Sequence, residues 1–345
     1  MALSAVIFFS TKSELFFTVS QWAFSDFDQR SLHLILVDLH PMQVLNSSLT
    51  TIVEDFRKLQ DEICQGLEAL DGSAKFQEDA WSRPDGGGGR TRLILDGNLI
   101  EKGGVNFSHV FGPLPERIAN ALKQPSGLRF DASGVSIVLH GRNPFVPIIH
   151  MNVRYFELEN GVHWFGGGID VTPIYINEAE AIGFHQQLKD CCDKFDPAYY
   201  PKFKTWADDY FFLKHRNETR GVGGIFFDHI KAETDSQKHE NHAFALAVGR
   251  QFVPIYTNLV ANNRDKAVGE AELNWQALRR SRYVEFNLLW DKGTRFGLDT
   301  NGRTESILMS MPPMARWEYN HQPEPNSPEA ATLAALRPID WLAKS

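Results

Sequence analysis

Between Ser136 and Asp170 the chain concentrates side chains able to bind anions and move protons. In the run GVSIVLH, residues 134–140, period-two alternation puts Val135, Ile137 and Leu139 on one face and Ser136 and His140 on the other. In HMNVRYFE, residues 150–157, the same count puts His150, Asn152 and Arg154 on one face, opposite Met151, Val153 and Tyr155. The loop between them carries Asn143-Pro144 and Pro147, which predicts a long-looped antiparallel hairpin. Two paired strands then present a hydroxyl, two imidazoles, an amide and a guanidinium to one side. An ordinary solvated sheet face would show Lys, Glu and Thr instead. A third run ends Trp164-Phe165-Gly166-Gly167-Gly168-Ile169-Asp170, where three glycines admit close approach of backbone or ligand and a carboxylate follows at once. These residues describe a polar, anion-accepting site.

The planar fork of Arg154 suits a carboxylate, a charge-assisted pair contributing about 1.5–3 kcal/mol. Arg220 and Arg303 sit among glycines and can do the same. Several arginines, abundant aromatics (25 Phe, 8 Trp, 8 Tyr) and glycine-permitted approach point to a large, flat, polyanionic ligand. Asp170 can accept from a cluster of ligand N–H groups, and His150 can exchange a proton near neutral pH. A competing reading gathers His140, His150, His185 and His215 round a divalent metal, although no HxH or HExxH spacing supports it. His185 also falls on the stripe Ala181, His185, Leu188, Cys192, where a satisfied buried histidine is the alternative. His215 follows a predicted helix, where a C-terminal cap is. Dinucleotide, nucleophile-elbow and iron–sulfur patterns are absent from the sequence. The four glycines of WSRPDGGGGRTR, residues 81–92, lack the lysine and serine of a phosphate loop and read as a flexible loop or lid flanked by Arg90 and Arg92.

The elements that must position this site belong to a chain of 345 residues, 43% hydrophobic, with formal charge −8. That length supports one large core. The acidic balance argues against nucleic acid and leaves any acidic ligand to local arginines. Cys64, Cys191 and Cys192 include no CxxC, which suits a reducing, cytoplasmic setting, with the adjacent pair packing a helix. Residues 1–50 read as an extension outside the pattern, or as an upstream start in place of Met42, with no membrane span. A helix follows from a Thr51–Glu54 capping box, carrying Ile52, Phe56, Leu59, Ile63, Leu67 and Leu70 and stopped at Asp71-Gly72. Strands are expected at Leu93–Leu95, after a turn at Gly103–Ser108, at Arg282–Trp290 and at Thr304–Met309, with a glycine-rich turn region at 293–303. Helices are expected from Asn177, from Pro201 to about residue 214, and in one long run from Phe244 to Leu259. Strands among helices, with at least one hairpin, make the fold class α+β: an antiparallel sheet covered by helices in a single domain.

Taken together, HMNVRYFE, WFGGGIDVTP, YFFLKHRNETRGVGGIFFD, YVEFNLLWDKGTRFGL and TNGRTESILMSMPP, in this order, resemble the oxygen-dependent coproporphyrinogen III oxidase family. WSRPDGGGGRTR and EKGGVNFS match its N-terminal part, so residues 51–345 resemble its catalytic domain. The resemblance implies a large flat antiparallel sheet sandwiched between helices, and homodimers joined through residues 283–318. It implies oxidative decarboxylation of two propionates of coproporphyrinogen III to vinyl groups, giving protoporphyrinogen IX, with oxygen as co-substrate, no organic cofactor, and release of CO2 and H2O2. It makes His150 the proton donor, has Asp170 hold the pyrrole N–H groups and help remove one proton, and gives Arg154 and Arg220 to propionates or to orienting the site, with His150, Asp170 and Arg154 as the catalytic residues. Ser136, Asn152, Val153, Arg154, Arg220, Asn301, Gly302 and Arg303 become substrate contacts, and His140, His150, His185 and His215 match positions assigned to a metal in some members. The chain departs from the family's usual pattern at Gly141, at His229 after Asp228, and at Asn301. A non-catalytic tetrapyrrole carrier and a zinc hydrolase are the rival readings.

Overall fold

The computed structural model describes residues 48–299 and 302–344; most of the expected extension, and Asn301, lie outside them. In chain order the elements are α1 (Leu49–Asp71), β1 (Gln77–Ser82), β2 (Gly87–Leu95), β3 (Ile100–Pro113), α2 (Glu116–Leu122), β4 (Arg129–Gly141), β5 (Ile148–Leu158), β6 (His163–Thr172), α3 (Glu178–Cys192), α4 (Tyr199–Tyr210), β7 (Phe212–Leu213), β8 (Glu218–Thr219), β9 (Gly224–Ile230), α5 (Asp235–Arg250), α6 (Phe252–Ala261), α7 (Glu270–Leu289), α8 (Lys292–Asp299), α9 (Thr304–Leu308) and α10 (Pro328–Ala335). Seven strands form one antiparallel sheet in the order β1-β2-β3-β4-β5-β6-β9, and β7 pairs with β8 in a separate ribbon. The expected α+β class, with helices over the sheet, is what forms.

Alternation decides the two faces. Val135, Ile137, Leu139, Met151, Val153, Ile169, Ile225 and Phe227 share the face buried under α1, α3, α5 and α6. On α1 the buried stripe is Ile52, Phe56, Leu59, Ile63 and Leu67. At about 1.5–3 kcal/mol per buried side chain, that stripe fastens the helix far more than backbone propensity does. The N-cap falls at Ser48, whose Oγ accepts the Thr51 N–H at 3.2 Å, rather than at Thr51; Gly72, at φ 80°, ends the helix as expected. The Asp71 carboxylate accepts N–H groups from Ala74, Leu99 and Ile100 at 2.9–3.0 Å, tying the end of α1 to the β2–β3 turn. The other face lies under α7, through Trp275, Leu278 and Tyr283 against Val138 and Ile148, and under α9.

Several expectations are corrected. Arg282–Trp290 is not a strand but mainly the second half of α7. From Trp275 to Asn287 that helix is buried nearly all round, and its charges are neutralised by distant partners, Arg279 by Glu218 at 2.8 Å and Arg280 by Glu101 at 2.5 Å. The one-sided apolar stripe that marks a surface helix is therefore missing. Thr304–Met309 is likewise helical, as α9, and the expected turn region at 293–303 contains most of α8. A run this short is ambiguous by period alone. Residues 81–92 form no lid: they make the β1–β2 hairpin, with Gly87, Gly88 and Gly89 inside β2. A Cβ on Gly89 would sit 2.4 Å from the Phe107 carbonyl and 2.6 Å from the Trp81 ring, so strand packing demands the glycine. Gly103–Ser108 lies within β3. The helix expected over 244–259 breaks at Gln251 into α5 and α6, and α4 stops at Tyr210, short of Lys214.

Candidate active site

Strand register lays out the floor of the site. Asp79, Thr91, Asn106, Ser136, Asn152 and Gly168 stand directly opposite one another from β1 to β6 and so share one face. Five strand spacings make this polar row roughly 24 Å long. One flanking row on the same face runs Gly104, Val138, His150, Asp170; the other runs Gly89, Ser108, Gly134, Arg154, Gly166. Small and polar residues therefore pave the sheet where His150 and Arg154 stand. Ser306 of α9 sits over part of the row, its Oγ 2.7 Å from Thr91 Oγ1 and its carbonyl accepting from Asn106 Nδ2 at 2.7 Å.

Asp170 is the hub. Its Oδ1 lies 2.7 Å from His150 Nδ1 and accepts from Arg220 Nη2 at 2.6 Å, while Oδ2 accepts from Arg220 Nε at 3.1 Å. Direct cross-strand opposition brings His150 to Asp170. The segment just after β8 delivers Arg220, whose N–H bonds the Phe211 carbonyl at 2.7 Å. The side chains of Asp170 and Arg220 are each 2% exposed, whereas His150 is 23% exposed and opens onto the floor. Burial alone would raise the Asp170 pKa. The Arg220 charge and the His150 hydrogen bond outweigh it and hold the carboxyl below its ordinary range. A carboxylate paired with an imidazole whose other nitrogen faces a polar floor is an arrangement suited to proton transfer.

Arg154, 35% exposed, donates from Nη1 to Asn152 Oδ1 at 2.8 Å and pairs through Nη2 with Asp228 at 2.9 Å. Asp228 reaches it because pairing between β6 and β9 shifts register between Phe165 and Gly167. At that shift His229 takes a left-handed φ of 52° and stacks on Trp164 with centroids 4.7 Å apart. A Cβ on Gly166 would lie 2.6 Å from Asp228 Oδ1 and 2.9 Å from Arg154 Nε, so the missing side chain makes room for the pair. A guanidinium so held, beside a floor of small polar groups, can take a ligand carboxylate by exchange with Asp228.

A family model for coproporphyrinogen III oxidase matches residues 51–341. The chain belongs to that family. It is accordingly an oxidoreductase of porphyrin biosynthesis.

Of the contacts expected for a coproporphyrinogen III oxidase, His150, Asn152, Arg154 and Ser136 share the floor, and Asp170 and Arg220 lie behind His150. Val153 does not join them: its side chain is fully buried on the opposite, helix-covered face. Arg303 pairs with Asp79 on the edge strand β1, four strands from β5. The N–H of Gly302 bonds the Gly297 carbonyl at 2.8 Å.

The four histidines do not gather. His140 is buried, bonded through Nε2 to the Ser310 carbonyl at 2.9 Å, and burial pushes its pKa down to about 3. His185 packs with the core under the other face, its ring nitrogens 3.0 Å from Tyr200 Oη and 2.9 Å from the Val222 carbonyl. His215 Nε2 meets Glu285 at 2.8 Å, and its Nδ1 accepts from Trp290 Nε1 at 2.9 Å. Among the described residues no three His, Cys, Asp or Glu converge as metal ligands, so this donor set does not fit a metal. Neither ring nitrogen of His185 is free to coordinate.

Sequence reasoning missed Thr91, Asn106, Asp228 and Asn287. Asn106 was legible only as part of EKGGVNFS. Asn287, which accepts from Arg220 Nη1 at 3.2 Å, was hidden in the segment misread as a strand.

Proposed function

We propose that this protein carries out the oxygen-dependent oxidative decarboxylation of coproporphyrinogen III to protoporphyrinogen IX. For each of two propionates, the side chain, one O2 and one proton give a vinyl group, CO2 and H2O2: the two electrons released from the β-carbon C–H reduce the oxygen. The observation that carries the reading is the hydrogen-bonded His150–Asp170 pair opening on a glycine-paved polar sheet face, with Arg154 four residues along the same strand.

On this reading the tetrapyrrole lies over the row Ser136, Asn152, Gly168, beyond the part that Ser306 covers, where glycines keep side chains from lifting its plane. Arg154 takes a propionate in place of Asp228, and Arg303 takes another in place of Asp79. His150 Nε2 is the proton-exchanging atom at the reacting ring. A pyrrole N–H is too weak an acid to ionise in advance, so its proton leaves as oxygen adds to the ring, and alignment matters more than base strength. The peroxide then removes the propionate β-carbon proton and its C–O bond to the ring breaks, releasing hydroperoxide that takes up one proton to become H2O2. The carboxylate leaves as CO2, its electron pair returns to the ring, and the pyrrole nitrogen recovers its proton from His150. No organic cofactor enters this scheme, since the reduced tetrapyrrole is itself the electron donor, and no step is routed through a metal.

The reading includes a homodimer joined through residues 283–318, supported by the exposed apolar side chains Leu288, Leu289, Met314 and Trp317. No helix among the described residues is long and apolar enough to cross a membrane. A cytoplasmic location is part of the same proposal.

The test is turnover of coproporphyrinogen III in air and under argon, with protoporphyrinogen, CO2 and H2O2 measured together. Product should form only in air, with two CO2 and two H2O2 per protoporphyrinogen. Product formed under argon, or none in air, would reject the proposal.

A further inference from the structure

Arg220 is expected at a propionate, yet its surroundings leave a propionate no approach. Nε and Nη2, the edge suited to a bidentate carboxylate, are both taken by Asp170. Nη1 donates to Asn287 Oδ1 at 3.2 Å. The ring centroids of Phe211, Phe286 and Tyr283 lie 4.3, 4.6 and 4.9 Å from its Cζ, so the guanidinium is packed among aromatic rings. Asp170 is equally enclosed, with Oδ1 shared between His150 and Arg220 and Oδ2 bonded to Arg220. Only His150 of this set reaches the floor.

We infer that Arg220 and Asp170 touch no substrate, and that with Asn287 they form a buried positioning relay whose single output is the orientation and tautomer of His150. A carboxylate only accepts, so the 2.7 Å contact puts a proton on Nδ1, and in the neutral ring the lone pair then lies on Nε2, on the side of the site. The 3.4 Å approach of Arg220 Nη2 to Nδ1 is then two donors meeting on one oxygen. Asn287 sets where the guanidinium sits, Arg220 sets where Asp170 sits, and Asp170 sets the ring. The aromatic packing makes Nη1 dependent on Asn287, since the Arg220 side chain is only 2% exposed. Within the proposed reaction this assigns binding of carboxylates to Arg154 and Arg303 and removes Arg220 from that role. The inference rests on the coproporphyrinogen reading for the identity of the ligand alone.

Three variants, Asn287→Leu, Arg220→Lys and Arg154→Lys, separate the roles. Each is measured for kcat and KM with coproporphyrinogen III and for binding of the unreactive oxidised ligand coproporphyrin III by fluorescence. Nitrogen-15 NMR of labelled histidine then reads the His150 tautomer, with the signal assigned by its loss in His150→Gln. Asn287→Leu and Arg220→Lys should lower kcat at least about tenfold, leave KM and coproporphyrin affinity within about twofold, and move His150 from a pure Nδ1–H form to a mixture. Arg154→Lys should weaken coproporphyrin binding by about tenfold and leave the His150 signal unchanged. Should Arg220→Lys weaken coproporphyrin binding as Arg154→Lys does, with the tautomer intact, the relay is wrong. Asn287→Leu covers the case in which Arg220→Lys fails to fold. The NMR arm needs no turnover: a tautomer shift in a protein inert toward coproporphyrinogen would uphold the relay and reject the substrate.

Discussion

Replacing Asp170 by asparagine keeps the shape of the side chain and removes its charge. Arg220 would then be a guanidinium with a 2% exposed side chain and no counter-ion. Breaking a buried pair from one side costs about 3–5 kcal/mol. At roughly 2 °C per kcal/mol for a domain of this size, the melting temperature should fall by about 6–10 °C. The new amide N–H can also donate to His150 Nδ1, turning the ring to the wrong tautomer, so turnover should drop by a factor on the order of 10²–10⁴. The decisive comparison is Asp170→Asn combined with Arg220→Gln, which removes both charges and replaces them with amides able to bond each other. Urea denaturation of the wild type, both single variants and the double variant at one pH forms a double-mutant cycle. The double variant should recover stability to within about 1–2 kcal/mol of wild type while remaining inactive. If the two losses instead add, with coupling under about 0.5 kcal/mol, the buried pair is not what stabilises this site and the reasoning fails.

Two further perturbations probe the neighbouring parts. Gly166→Ala places a methyl 2.6 Å from Asp228 Oδ1 and 2.9 Å from Arg154 Nε; both are side-chain ends that can move, so the fold should survive while KM rises about three- to tenfold, and an unchanged KM would count against Arg154 as a carboxylate ligand. Glu285 accepts from Arg216, His215 and Trp317 at 2.6–3.0 Å. Burial opposes its ionisation, but these bonds, then the Arg282 charge, win and lower its pKa from the ordinary 4.5 to about 2. A depressed folded-state pKa means stability that is present above the unfolded value and lost as pH falls from 4.5 toward 2. That contribution is about 2–3 kcal/mol, discounted because Arg216 is 38% exposed. The stability gap between wild type and Glu285→Gln should therefore close on acidification, and a gap independent of pH in urea titrations would contradict the assignment.

The chain by itself determined which residues share a sheet face. Alternation is a property of the extended backbone and needs no partner, so His150, Asn152 and Arg154 were assigned together correctly, as were the buried Met151 and Val153. Helix signals set by local hydrogen bonds were legible too, such as the Asn177 cap and the stop at Gly72. The long ordered motifs were enough to place the family. Tertiary structure decided everything that depends on a distant partner. Arg220 meets Asp170 across 50 residues and Asn287 across 67, and Arg303 meets Asp79 across 224. Nothing local to those residues says whether a guanidinium will be buried and committed or left open to a ligand. The same reason hid α7, whose all-round burial removed the stripe that would have marked it, and separated the four histidines that spacing alone could not keep apart. Charge and burial act through space, and the order of residues along a chain constrains that space only over a few positions at a time.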